Sequence, residues 1–304
     1  MSAGAASADS LPRLDGYPFD VRYSESARAE AVRLADLAKD AYEYFVGVFP
    51  NTKPAVTARF LTPADWPDAY GMPAYDPFER SLRVATEDNR FWQSFGKMAR
   101  LASPLGAYPR LKRTYADDGG ELRLRRFFDL LAVHELAHSF EHTVFATFPA
   151  LWLSEVFANL ALHTFIATMR PQELANLTTF PEAQRRIKPF NLMIRLRGYR
   201  SLEDFERHYP VGTDRPMNGA NYGWYQVRFH VLARQVFDES GEDSLTRLWT
   251  FGQSDDPRRT SGWTHYLKHR TLTGWTQRMP RRELAALLEA EVSPRLGQAI
   301  AGWD

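Results

Sequence analysis

Past Asp117-Asp118-Gly119-Gly120 the chain changes its hydrophobic period and does not change back. Before that point the pattern is mixed. Residues 17–23 read as a strand. Residues 24–49 read as a helix, because Ala31, Leu34, Ala35, Leu37, Ala38, Ala41, Tyr42, Phe45 and Val46 recur every three or four positions. Ser24 or Ser26 caps its start and Pro50 ends it. Residues 55–61 and 81–86 read as strands, and residues 62–77, rich in Pro, Asp and Tyr, as a long loop. After the boundary the spacing predicts helices near 121–143, 150–168, 184–197, 222–239, 243–252, 258–270 and 281–290. Strands and helices do not alternate, which argues against a doubly wound parallel sheet. The expected class is α+β: residues 1–16 a flexible N-terminus, 17–120 a small mixed sheet lobe, and 121–304 a mainly helical lobe forming one working unit with it.

At 304 residues the chain can bury a sizeable core. Its 38 Lys and Arg against 37 Asp and Glu leave a formal charge of +1, so nothing points to a nucleic-acid or membrane partner. There is no basic segment followed by an apolar one at the start and no run of about 18 apolar residues, and the expected location is cytoplasmic. The pairs Arg185-Arg186 and Arg281-Arg282 read as solvated helix faces, and Trp249, Trp263 and Trp275 as scaffold. Cysteine is absent and there are eight histidines. That excludes disulfides, thiol nucleophiles and cysteine-ligated metal sites, so any metal chemistry falls to His, Asp and Glu.

His134-Glu135-Leu136-Ala137-His138 lies inside an apolar-periodic helix. Residues four apart on a helix are about 40° apart around its axis, so both imidazoles reach one zinc ion. Glu135, about 100° around from His134, acts on a water at the metal without ligating it. This is the residue pattern of metal-assisted hydrolysis, with the carboxylate as general base. His142 adds a further step of four, but eight residues of helix rise about 12 Å, too far for one ion to take three such ligands. It reads as a neighbour of the site or a solvent-facing residue, and is held in reserve. Glu141 and Val144 stand where a longer motif would need Gly and His.

A catalytic zinc needs a third protein ligand and an open position. With sixteen residues between it and His138 comes Glu155, the lone carboxylate of the apolar segment Trp152-Leu153-Ser154-Glu155-Val156-Phe157-Ala158. A second helix packed antiparallel to the first would aim it at the metal. The other reading is a carboxylate satisfied by the helix N-terminus. Asn159, four residues on, either accepts from a ring N–H of His134 or is a buried amide bonded to backbone.

These two motifs resemble the gluzincin metallopeptidases, and most nearly their aminopeptidase branch, whose second motif reads W-L-N-E-G-F-A. Ser154 and Val156 differ from that pattern, and the spacing is slightly shorter. The resemblance covers about 30 residues. It implies a thermolysin-like catalytic fold, one zinc on His134, His138 and Glu155, and Glu135 in catalysis. It also implies that the residue at Asn159, an Asp in thermolysin-like enzymes, hydrogen-bonds the first zinc-binding His.

Amide hydrolysis passes through an oxyanion that needs a donor. Asn221-Tyr222-Gly223-Trp224-Tyr225 is similar to the family segment whose Tyr donates to it, making Tyr222 first choice and Tyr225 the reserve; Arg228 and His230 are weaker candidates, and the bland reading of these aromatics is helix packing. Of the family's G-x-M-E-N strand only Gly71 and Met72 have counterparts in Tyr70-Gly71-Met72-Pro73-Ala74-Tyr75. Residues 81–86 read as the edge strand that pairs with an extended peptide, or as a solvated edge. The expected function is a zinc peptidase acting on a peptide or protein; the alternative is a zinc-retaining, inactive peptide- or protein-binding module of the same fold.

Overall fold

The computed structural model describes residues 11–66, 71–104, 106–144, 148–185, 199–209, 217, 219–253 and 279–303. They build a mixed α+β protein of two compact units, one made of Met1–Thr143 with Phe165–Ala183, the other of Val144–Thr164 with Gln184–Asp304. Most of the helices expected near 184–197 and 258–270, with Arg186, Trp263, Trp275 and Tyr70, lie outside the described residues.

The first unit carries a five-stranded sheet of β1 (Arg13–Leu14), β2 (Asp20–Tyr23), β3 (Thr57–Leu61), β4 (Ala74–Asp76) and β5 (Ser81–Ala85), ordered β1-β2-β3-β5-β4. The sheet thus begins inside the stretch expected as a flexible N-terminus. The three central strands run parallel and the two outer ones antiparallel. A parallel pair needs a crossover, and α1 (Arg28–Val48) supplies it between β2 and β3. Its apolar face, Ala31 to Phe45, is buried. The expected loop 62–77 yields β4, which covers β5. Ser81–Ala85 is therefore an interior strand, and β4 takes the edge position that the sequence pattern assigned to 81–86.

Helices also begin before the 117–120 boundary, with α2 (Arg90–Ala102) and α3 (Tyr108–Tyr115). Asn89 caps α2 by accepting from Trp92 N at 3.0 Å, and its Nδ2 donates to Gly71 O at 2.9 Å. Gly71 sits at φ +74°, and a Cβ there would lie 2.7 Å from Asn89 Nδ2. The Gly71 turn is thus a product of the α2 cap.

The helix α4 (Arg125–Thr143) packs on α1 and β5. Phe140 locks it against Tyr42, Phe45 and Phe49, with ring centroids 5.4 to 5.6 Å apart. At the other end Arg33 Nη2 donates to Asp129 Oδ2 at 2.6 Å, and Arg125 lies 3.9 Å from the same oxygen. Burial outweighs both cations and pushes the Asp129 carboxyl up to about 6. Farther on, α6 (Leu174–Gln184) takes a hydrogen bond from Tyr115 OH to Asn176 O.

The helix α5 (Leu151–Met169), whose residues up to Thr164 belong to the second unit, is apolar on every side, as a core helix must be. It is long and apolar enough to cross a membrane, but most of its apolar window is buried inside the protein. Around it in sequence follow α7 (Leu202–His208), α8 (Gly219–Ser240), α9 (Asp243–Gly252), α10 (Arg281–Glu291) and α11 (Pro294–Ala301). Arg281, expected on a solvated face, donates to Trp303 O at 2.7 Å and lies 3.4 Å from a Glu203 oxygen.

The close crossing of α10 and α11 depends on Gly297. A Cβ there would fall 2.4 Å from Glu289 Cβ and 2.5 Å from Ala285 O, atoms fixed by backbone. Gly297→Ala should cost about 1–3 kcal/mol through overpacking, read as a lower denaturation midpoint. An unchanged midpoint would show that the crossing yields without cost.

Candidate metal centre

The helix α4 presents His134, Glu135 and His138 because five successive helical residues cannot leave one face and return without placing the first and last together. The His134 and His138 rings meet edge-on, with centroids 4.9 Å apart and their Nε2 atoms 3.3 Å apart. His134, Glu135 and Glu155 are buried, and the His138 side chain is 12% exposed. One ligand atom from each of His134, His138 and Glu155 lies within 4.8 Å of the others. Donors about 2.0–2.1 Å from a tetrahedral ion sit about 3.3 Å apart. The imidazole pair already has that spacing, and two neutral nitrogens with one carboxylate are a donor set that suits a divalent ion. The group could hold a metal ion.

Two of the three candidate ligands, His138 and Glu155, are held by neighbours. Glu141, buried one turn after His138, places Oε2 3.2 Å from His138 Nδ1. That contact fixes the ring and leaves Nε2 facing His134. Both oxygens of Glu155 are also engaged: Tyr209 OH donates to Oε1 at 2.8 Å, and Gln226 Nε2 donates to Oε2 at 2.6 Å.

The alternative reading of Glu155, a carboxylate serving its own helix N-terminus, falls to a different residue. Glu206 on α7 accepts from Trp152 N at 3.1 Å and from Leu151 N, the first residues of α5. With its N-terminal donors served from outside, α5 leaves Glu155 to Tyr209 and Gln226.

Asn159 does not reach His134. Its Nδ2 donates to Glu155 O at 2.8 Å and to Gln226 Oε1 at 3.0 Å. Its Oδ1 is buried and accepts no hydrogen bond among the described residues. Turning the amide nitrogen toward two acceptors leaves the oxygen without a donor. The expected bond to the imidazole gives way to a bond that orients Gln226.

Tyr222 joins the same network. Its hydroxyl oxygen accepts from Gln226 Nε2 at 2.9 Å, and its ring stacks on Tyr209 at 5.5 Å with 4° between planes. The reserve residue Tyr225 lies elsewhere: it is fully buried, donates to Ser201 O at 2.7 Å and stacks on Trp303. Its hydroxyl hydrogen is committed to the core, and burial pushes its ionisation far up. Arg228 lies over Trp224 and Trp303 at 4.7 and 4.6 Å, a packing role. His230 is buried on α8. His142 stacks on Tyr75 of β4 at 5.3 Å, its ring centroid 6.5 Å from that of His138, and burial pushes it down to about 4.

The residues missed by sequence reasoning are Glu141, Tyr209, Gln226 and Glu206. Glu141 had a signal, since positions i and i+3 on a helix meet. Gln226 is one turn after Tyr222 and legible only once Tyr222 is placed. Tyr209 and Glu206 act across about 50 residues of chain, with no local signal.

Glu206 makes the α5 anchor sensitive to pH. Burial, aided by Glu203, pushes its carboxyl from 4.5 up to about 8, against the pull of two backbone N–H groups. An unfolded chain gives up that proton near pH 4.5, while the folded protein keeps it to about pH 8. The contribution is therefore fully present below about pH 4.5 and is lost as pH rises through 8, on the order of 5 kcal/mol over the window. Glu206→Gln keeps an acceptor and removes the titration. Its stability, measured by urea unfolding from pH 5 to pH 8, should fall less than that of the unaltered protein; parallel curves would contradict this.

Comparison with known families finds no family model that matches this chain, and comparison with curated proteins finds none that matches.

Proposed function

We propose that the protein is a zinc-dependent peptidase of the gluzincin type with a thermolysin-like catalytic fold. The observation that carries this reading is the convergence of His134, His138 and Glu155 beside the buried Glu135. Bound to those three residues, zinc would lower the pKa of a water and polarise the scissile carbonyl. Glu135 takes the proton of the attacking water and returns it to the leaving amine.

The two stacked tyrosines divide the remaining work by what each does with its hydrogen. Tyr209 spends its O–H on Glu155. Tyr222 receives a hydrogen from Gln226 on its oxygen. That bond uses a lone pair, so it is compatible with Tyr222 donating its own hydrogen to an oxyanion. The substrate class fits the sheet. The outermost strand β4 packs along α4, with Tyr75 against His142, and an extended peptide adding to that edge would run beside the helix that carries His134 and Glu135.

Three measurements test the reading. Glu135→Gln should retain one equivalent of zinc and lose about 10²–10⁴-fold in cleavage of a peptide that the unaltered protein cuts; undiminished cleavage would overturn the mechanism. A mixed peptide library left intact by the zinc-loaded protein would instead favour a binding module on the same fold. Glu141→Ala should weaken zinc about 10- to 100-fold, by loss of the support to His138, in competition with a coloured chelator. Equal affinity would show that His138 needs no support.

A further inference from the structure

A second concave site lies in the first unit, separate from the histidine pair. It has a volume of about 540 Å³ and is bounded by α2, α3 and the turn that follows α3. That size is in the range of small-molecule sites.

Its walls are set by local rules. On α2 the positions Gln93, Gly96, Lys97 and Arg100 follow helical spacing and line the cavity, while Phe91, Phe95 and Ala99 are buried on the other side. The α3 helix adds Lys112. The turn is tied by Asp117 N to Glu121 O and by Gly120 N to Asp117 O, each at 2.9 Å, and it adds Arg123 and Glu121. Gly120 adopts φ +77°, and the Lys112 ammonium lies 3.8 Å from where a Cβ would stand, so the turn brings that cation to the rim.

The charges do not balance. Four cations line the cavity against two carboxylates, Asp88 and Glu121. Arg123 is committed to Asp88 at 2.9 Å and to Asp117 at 3.3 Å. Lys97, Arg100 and Lys112 make no ion pair among the described residues. Lys97 and Arg100 are one turn apart on the same helix face, where like charges repel. In a chain whose net charge is +1, this is a concentrated positive site, and an anion placed in it removes the repulsion.

We infer that this cavity binds a small multiply charged oxyanion, held by Lys97, Arg100 and Lys112. Three cations drawn from two helices around one cavity match a ligand that carries more than one negative charge. A polyphosphate and a polycarboxylate share that chemistry. Arginine forks and lysine ammoniums serve either.

The test is isothermal titration of the full chain, freed of metal by dialysis, with sodium tripolyphosphate in one arm and citrate in the other. The expected result is saturable one-to-one binding of at least one probe, weakened about tenfold by Lys97→Gln with Arg100→Gln and again by Lys112→Gln, and weakened by added salt. These residues are exposed, so the variants keep the fold, and circular dichroism spectra that overlay confirm it. Lys39→Gln, on α1, should bind as the unaltered protein does. The probe that binds identifies the ligand as phosphate-like or carboxylate-like. Absence of saturable heat with both probes, or equal weakening by Lys39→Gln, would overturn the inference. The outcome does not depend on the peptidase reading, since no metal or peptide takes part.

Discussion

Burying charge inside apolar helices is the constraint on which the rest of this structure depends. The helices α4 and α5 each bury most of their surface, yet between them carry Glu135, Glu141 and Glu155 at under a tenth exposed, with His134 and a nearly buried His138. Moving carboxylates out of water is costly unless hydrogen bonds and opposite charge replace the solvent. The fold supplies the hydrogen bonds from outside the two helices, through Tyr209 and Gln226, and from within α4, through the pairing of Glu141 with His138. A divalent cation, if held by the His134, His138 and Glu155 group, would supply the opposite charge. The helices must therefore be held firmly, and they are: α4 by Phe140 in its aromatic cluster and by Arg33 on Asp129, α5 by Glu206 on its first amides.

How much of this was legible in the sequence follows from the range of each interaction. The helical spacing of Ala31 to Phe45 and the pattern of His134 and His138 are local, and both appear in the structure close to where the sequence places them. The edge of the sheet was misplaced, because 74–76 is three residues long and becomes a strand only by pairing with Ser81–Ala85. Its own composition, with Pro73, Tyr75 and Asp76, reads as loop. The helices α2 and α3 were missed for a related reason: Gly96, Ser94 and Pro109 lower their intrinsic propensity, and the burial of Trp92, Phe95 and Leu111 restores it. The partners of Glu155 lie 54 and 71 residues away, where no periodicity reaches.

The role of Glu155 shows how the two kinds of information meet. A carboxylate early in an apolar helix has two physical readings, one local and one distant. The local reading requires that the N-terminal amides of α5 lack another acceptor. Glu206 is that acceptor, so the local reading loses its motive, and Glu155 turns to groups from α8 and the end of α7. Glu206 itself bears the cost, with its carboxyl pushed up to about 8. The fold spends a strained carboxyl at the helix end to keep a different one oriented inside.

The same logic explains a departure from the family that the sequence resembles. Thermolysin-like enzymes carry Asp where this chain has Asn159. Here Gln226 has one oxygen and one nitrogen to distribute. Its Nε2 serves two acceptors, Glu155 Oε2 and the Tyr222 hydroxyl, and its Oε1 receives Asn159 Nδ2. An aspartate at 159 would set a carboxylate against Oε1. The amide would then turn over to donate to it, and Oε1 would face the carboxylate of Glu155, repelling the group it now anchors. With Gln226 in the network, the residue at 159 must be a donor. The amide that departs from the family pattern is thus the group that orients Gln226, and through it the carboxylate of Glu155.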